Sequence, residues 1–232
     1  MTGLFTVVVE FQRREARSLA AMHRAEIDRL ALEREMDEAR LQVLQAQIEP
    51  HFLFNTLANV RRLYQTDAGA GRAMLRNLLR YLEVALPQMR RERSTVGAEL
   101  ALVEAYLNVQ RIRMGRRLSF GVDIDGELHD VDLPPMMLLT LVENAIKHGL
   151  NPQTEGGHVA ISARVDGEVL RIAVADDGRG FQASSGGGTG LANIRARLAA
   201  VYGEAATLRL SENHPRGITS TLSLPLSRRS RP

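Results

Sequence analysis

Residues 12–48 contain neither glycine nor proline and are rich in alanine, leucine, glutamate, arginine and glutamine. A run of that composition predicts one long helix, because those residues give up little freedom in helical backbone. Its apolar residues fall in two partial stripes. Ala20, Ile27 and Leu30 lead towards Leu41, Leu44 and Ile48, but Arg34 and Asp37 interrupt that seam. A second stripe through Met22, Ala25, Leu32, Met36, Ala39, Val43 and Ala46 covers the gap. A seam that changes stripe is the pattern of a short parallel coiled coil with a stutter. The other reading is an amphipathic helix packed on its own domain, but few segments remain nearby to cover both stripes.

No run of about 18 apolar residues occurs, so nothing here is expected to span a membrane by itself. Leu4 to Phe11 is apolar apart from Thr6 and Glu10, and Arg13, Arg14 and Arg17 follow. Two readings stand: the stub of a truncated membrane helix with its basic cytoplasmic flank, or a frayed helix start. The segment lacks the leader and cleavage site of a signal peptide. There is no cysteine, which excludes disulfide scaffolds, thiolate metal sites and cysteine nucleophiles. Thirty basic against 27 acidic residues leave a formal net charge of only +3, a mixed surface and not a polyanion-binding one. No basic recognition helix or stacking platform stands out, so direct nucleic-acid binding is not expected. Of the basic residues 29 are arginine and one is lysine, Lys147.

At 232 residues there is room for one or two domains, and the pattern changes twice. Pro50 has no N–H and clashes with the carbonyl near Ala46, so a kink or restart is expected there. Residues 51–65 then carry an apolar stripe, Leu53, Leu57, Val60 and Tyr64, and a polar one, His51, Asn55, Asn59 and Arg62. A turn at Thr66–Gly71 leads to a second helix over 72–89 with Leu75, Leu78, Leu79, Leu82 and Leu86. The pair reads as an antiparallel hairpin whose apolar faces need a partner, and two copies would make a four-helix bundle. From Ser94 on, helices at 97–114, at Pro134–Gly149 with glycine as C-cap, and at 190–202 alternate with short strands. The strands are read at 117–125, 158–165, 169–175, 206–211 and 218–224. That order indicates an α+β sandwich with a mostly antiparallel sheet. The polar segment from Arg90 to Thr95 reads as a hinge, and the end of the chain as a disordered tail.

Four strings carry chemistry. In Gln47 to Asn55 a histidine, His51, follows a proline on the polar face, with Asn55 one turn on. Neutral imidazole is a competent nucleophile near neutral pH. In Leu141 to Gly149, Asn144, Lys147 and His148 stand at i, i+3 and i+4, an amide, an ammonium and an imidazole suited to a metal–phosphate group. The lone lysine fits a place needing a compact point charge. In Val174 to Phe181, Asp176 ends a strand before Gly178 and Gly180, and can accept a hydrogen bond from the amino group of a base. In Gly186 to Asn193 a glycine run opens a helix, which makes an anion site but matches neither a Walker A loop nor a Rossmann fingerprint. The bland alternatives are a solvated helix face, an ordinary turn and a linker.

Taken in order, these strings resemble the sensor histidine kinases of the Lyt type over residues 41–225. Pro50-His51-Phe52-Leu53-Phe54-Asn55 resembles that family's H box, and Leu141 to Gly149 its N box. Asp176 to Gly180 is similar to the G1 box, Gly188 to Asn193 to the G2 box, and Pro215 to Pro225 to the closing strand. The resemblance implies a signalling coiled coil over 1–48, a dimerisation and phosphotransfer hairpin over 49–93, a Bergerat-type two-layer α/β ATP-binding domain over 94–227 and a tail over 228–232. It implies a protein-histidine kinase of a two-component system, using ATP and Mg²⁺. His51 would accept the γ-phosphoryl group. Asn144 would ligate Mg²⁺, with Lys147 and His148 near the phosphates, and Asp176 would bind the adenine amino group. Gly178 and Gly180 would shape that pocket, Gly188, Thr189, Gly190 and Leu191 would close over the phosphates, and Thr219 would support the adenine end. A homodimer, a response-regulator receiver domain with a Lyt-type DNA-binding domain, and attachment to the cytoplasmic side of the bacterial inner membrane through an upstream segment would follow.

The chain departs from its relatives in several respects: Thr140 and Leu139 precede the N box where relatives often show Pro and Gln, and Ile218 replaces a frequent Thr. Phe52, not the acidic residue of the commoner histidine kinases, follows His51. Glu49 is the nearest carboxylate, and only a distortion at Pro50 would bring it round as the base. Asn55 is placed to orient a water for dephosphorylation. The lid between Gly180 and Gly188 is short and is expected to be mobile without nucleotide. The competing readings are an ATPase of the same superfamily, with Glu143 as base, and a nucleotide-binding scaffold without phosphotransfer.

Overall fold

The computed structural model describes residues 14, 17, 22–37, 50–89, 91–181 and 189–226, and among these the side chains of all but Pro50, His51 and Thr189. The chain divides into two compact units, one up to Pro50 and one from His51 on. In the first, residues 22–37 form a helix, α1, as the composition requires. Arg29 pairs along it with Glu26 and Glu33 at 3.1 and 3.8 Å. Met22, Ile27 and Leu30 remain exposed on its surface. The remainder of the expected helix and the Leu4–Phe11 segment lie outside the described residues. Among those residues no helix is long and apolar enough to cross a membrane.

The second unit opens with α2 (Pro50–Thr66) and α3 (Ala68–Met89). The expected turn shrinks to one residue because Asp67 caps α3, accepting at 3.0 Å from the amide of Ala70. Gly71 is needed there: a Cβ on it would lie 2.8 Å from the backbone nitrogen of Tyr64. The apolar faces of the hairpin are not left bare. α4 (Val96–Met114) packs on α3, and Phe52, Tyr81 and Tyr106 meet as an aromatic cluster with ring centroids 5.2–6.0 Å apart. α4 can do this because it is apolar on nearly all sides, facing α3 with one and α5 with another.

The segment read as a hinge is paired at its end. Ser94–Thr95 forms β1, antiparallel to β3 (Asp132–Leu133). Thr95 then caps α4, its hydroxyl accepting from the amide of Ala98 at 3.2 Å. The main sheet contains β2 (Leu118–Asp123), β4 (Gly157–Asp166), β5 (Val169–Asp176), β6 (Thr207–Glu212) and β7 (Ile218–Pro225) in the order β2-β4-β5-β7-β6. β2 and β4 are parallel and the other pairs antiparallel. Helices α4, α5 (Met137–Asn144) and α6 (Thr189–Tyr202) pack together and on the sheet, giving the two layers expected. Alternate strand residues such as Val159, Ile161, Ile172, Val174, Leu222 and Leu224 fill the core, as a period of two dictates.

Candidate functional site

The site is built around α5. Its apolar residues Met137, Leu138, Leu139, Leu141 and Val142 are buried. Its first N–H groups have no partner within the helix. Met136 precedes it in a left-handed conformation (φ 66°) and supplies no side-chain cap. Glu99 of α4 fills the role: one carboxylate oxygen accepts from the amide of Met136 at 2.8 Å, the other from that of Leu138 at 3.2 Å. Glu99 is wholly buried, and burial lifts its carboxyl to about 7 despite these donors. From α6, Arg197 donates to the carbonyl of Pro135 at 2.7 Å.

At its other end α5 runs into a π-helix, Ala145–Leu150. Gly149 was expected to end the helix as a C-cap, but it lies inside this wide turn. Its lack of a side chain answers a different need: a Cβ would sit 2.6 Å from an Asp176 carboxylate oxygen. Asn144 is half-buried, while Lys147 and His148 are exposed. The amide nitrogen of Asn144 is buried and has no hydrogen-bond partner. It lies 3.7 Å from where a Cβ on Gly190, in the first turn of α6, would be.

Asp176 closes β5 and is buried. One of its oxygens accepts from the amide of Gly178 at 2.9 Å, and the amide of Ile218 donates to it as well. Burial pushes its carboxyl up; the two amides work against that, and the charge of Asp177 adds to it. Gly178 is pressed against Gly149, with its Cβ position 2.4 Å from that backbone, and Arg179 donates its amide to the Gly149 carbonyl at 3.1 Å. The N-box and G1-box strings are thus brought together. Gly180 takes a positive φ of 77°, and Phe181 beyond it is exposed.

Thr219 is not brought to this place. It pairs with Ala175, one residue off Asp176. Alternation puts it on the sheet face opposite the buried Ser220, Leu222 and Leu224, and so opposite Asp176. Ile218 and Ser220 share the face of Asp176. The expected role of Thr219 at the adenine end is therefore corrected, because strand register outranks string matching.

Thr189 begins α6, followed by Gly190 and a half-buried Leu191. Gly188 and the lid over 182–188 lie outside the described residues, as does the expectation of its mobility. His51 is on α2, its side chain not among those described; Asn55, one turn on, is half-buried. Glu49 also lies outside the described residues. Phe52, beside His51, is locked in the aromatic cluster.

The sequence reading passed over Glu99, Asn213 and Ser220. Asn213 holds the Asp176 carbonyl through its side-chain amide at 2.8 Å. A signal for Glu99 was present: a carboxylate in the first turn of a helix, among the apolar residues Val96, Leu100, Leu102 and Val103. Among the described residues no group of three His, Cys, Asp or Glu could hold a metal ion. A divalent ion here would depend on the Asn144 oxygen together with phosphate and water oxygens. The unpaired atom is the amide nitrogen, a donor that a phosphate oxygen would satisfy; left unmade, that bond costs about 1–3 kcal/mol.

Comparison with known proteins gives two family matches: "Histidine kinase" over residues 39–118 and "Histidine kinase-, DNA gyrase B-, and HSP90-like ATPase" over residues 129–228. The sensor histidine kinase YesM of Bacillus subtilis is 34% identical over 193 residues, 81% of this chain and 33% of that protein. The sensor histidine kinase/phosphatase LytS of Staphylococcus aureus is 29% identical over 83% of this chain and 35% of its own length. The chain thus spans about a third of the length of these relatives. The histidine kinase domain of a blue-light activated kinase from Erythrobacter litoralis, at 17% identity, covers 85% of this chain and 93% of that one with a TM-score of 0.45.

Proposed function

The chain belongs to the Lyt-type sensor histidine kinases, and on that premise we propose that it binds Mg·ATP, moves the γ-phosphoryl group to His51 and passes it to an aspartate of a response-regulator receiver domain. The observation that carries this reading is Asn144, whose amide nitrogen is buried and has no hydrogen-bond partner beside the glycine-led start of α6. Its oxygen and nitrogen are interchangeable by a flip, so the same group offers an oxygen to Mg²⁺. The ion would supply neutralisation of the charge on the transferring phosphoryl group. Lys147 and His148, exposed on the next turn, would meet the phosphates. Asp176 accepts the adenine amino hydrogen in a place where burial has removed competing water. Gly178 and Gly180 let the backbone bend around the ring. The N–H groups of Thr189, Gly190 and Leu191 at the opening of α6 would meet the phosphates, with Gly188 closing over them.

The ring nitrogen of His51 attacks the γ-phosphorus as the bond to the ADP oxygen breaks, and Glu49 takes the ring proton. Catalysis on this reading is mostly positioning and charge neutralisation. Asn55 orients a water in the reverse, dephosphorylating reaction; the Staphylococcus aureus relative is named a kinase/phosphatase. The domain boundaries inferred from the sequence, at 48/49, 93/94 and 227/228, are part of the proposal. So are a homodimer joined through the dimerisation hairpin and the N-terminal helix, where Met22, Ile27 and Leu30 are exposed, attachment at the cytoplasmic face of the inner membrane through an upstream segment, and a partner with a Lyt-type DNA-binding domain.

The test is autophosphorylation with γ-labelled ATP and Mg²⁺, wild type against His51→Gln. Label that is lost in acid, kept in base and absent from the variant is the expected outcome. Label of equal strength in the variant, or label stable in acid, sinks the assignment of His51.

A further inference from the structure

The geometry points to Glu99 as a positioning residue for Asn144: from α4 it fixes the first turn of α5, the helix whose last residue is that amide. This rests on the reading of Asn144 as part of the Mg·ATP site. Glu99 is 0% exposed, and none of the proposed phosphoryl chemistry uses it. Its two oxygens take the amides of Met136 and Leu138, at 2.8 and 3.2 Å, from 37 and 39 residues away in sequence. α5 has no local cap to replace it, since Met136 offers no side-chain acceptor. The helix is only 8 residues long and is stiff over that length, so a shift of its first turn carries through to Asn144. A second hold acts on the same corner. Arg197 of α6 donates to the Pro135 carbonyl at 2.7 Å, and the start of α6 puts Gly190 against Thr140 and Asn144. Glu99 and Arg197 thus set α5 from its N-terminal end, while the unpaired amide waits at the other.

A double-mutant cycle tests the proposal. The full chain is compared as wild type, Glu99→Gln, Asn144→Ala and the double variant, with Mg·ATP affinity read by calorimetry and Met136 and Leu138 amide exchange read alongside. Measured at about pH 8.5, where the Glu99 carboxyl is ionised, Glu99→Gln keeps the shape but turns one acceptor into a donor. It should weaken Mg·ATP about tenfold and speed exchange at those two amides, leaving Val159 and Ile161 protected. In the Asn144→Ala background it should weaken binding no further, because the two act in series. Unchanged affinity in Glu99→Gln, or an equal loss in both backgrounds, overturns the positioning role. Wild type and Asn144→Ala binding Mg·ATP alike would instead sink the underlying reading of Asn144. If Glu99→Gln does not fold, Glu99→Asp, which keeps the charge but draws it back by one methylene, goes through the same cycle under the same criteria.

Discussion

α2 and α5 each carry a residue on which the proposed chemistry turns, and they are held in opposite ways. Beside His51, the Phe52 side chain is held by apolar contact, its ring against Tyr81 and Tyr106. Asn144 sits on a helix fixed by a buried carboxylate, an arginine on a carbonyl, and glycines pressed against Asp176. Apolar packing is non-directional and tolerates sliding, whereas hydrogen bonds to backbone amides fix position to a fraction of an ångström. A helix that must present a side chain to different partners suits the first kind of support. A pocket that must meet one ligand in one pose suits the second.

The sharpest way to break that comparison is Phe52→Ala. Losing a buried aromatic from the cluster should cost about 3–5 kcal/mol of stability, read from a denaturant midpoint. Mg·ATP affinity should hold as long as the chain is folded. A matching loss of affinity would mean the two supports are not separate.

Next in size is the pH response of Glu99. Its carboxyl stands at about 7 when folded against an ordinary 4.5. Between those values the folded chain keeps a proton that the unfolded chain has released, so stability falls as pH rises through the window. The whole loss is roughly 3 kcal/mol. Wild type should therefore lose ground to Glu99→Gln between about pH 5 and about pH 8 in urea denaturation. Parallel curves for the two proteins would show that no buried acid is at work.

Asp176→Asn comes third. It exchanges an acceptor for a donor facing the amides of Gly178 and Ile218 and the adenine amino group. ATP should bind some 10- to 100-fold more weakly, by calorimetry, with the Phe52 cluster untouched. Affinity within twofold of wild type would remove Asp176 from the adenine site. The smallest effect is expected at Asp67→Ala, which removes the cap joining α2 and α3. About 1 kcal/mol of stability should go, with no change in ATP affinity. No measurable loss would mean the one-residue connection stands without its cap.

Much of this was legible in the residues. Asp176, Gly178 and Gly149 are near one another because strings far apart in sequence each specify a strand end or a helix end, and periodicity reveals those ends. Thr219 was misread because its neighbours in sequence say nothing about register. Pairing with Ala175 instead of Asp176 puts it on the other face of the sheet. The hinge reading is corrected only at its end, since Arg91, Glu92 and Arg93 lie outside any helix or strand. Arg90 to Thr95 is polar, but Ser94 is buried and Thr95 serves both a strand and a helix.

The sequence by itself determined the helical hairpin, the α+β layers and the family, since these rest on local spacing that any chain of this pattern must obey. The tertiary structure alone decided that α4 covers the hairpin, that a π-turn takes in Lys147, His148 and Gly149, and that Glu99 holds α5. Each depends on groups far apart along the chain meeting in space, and local propensity has no term for that meeting.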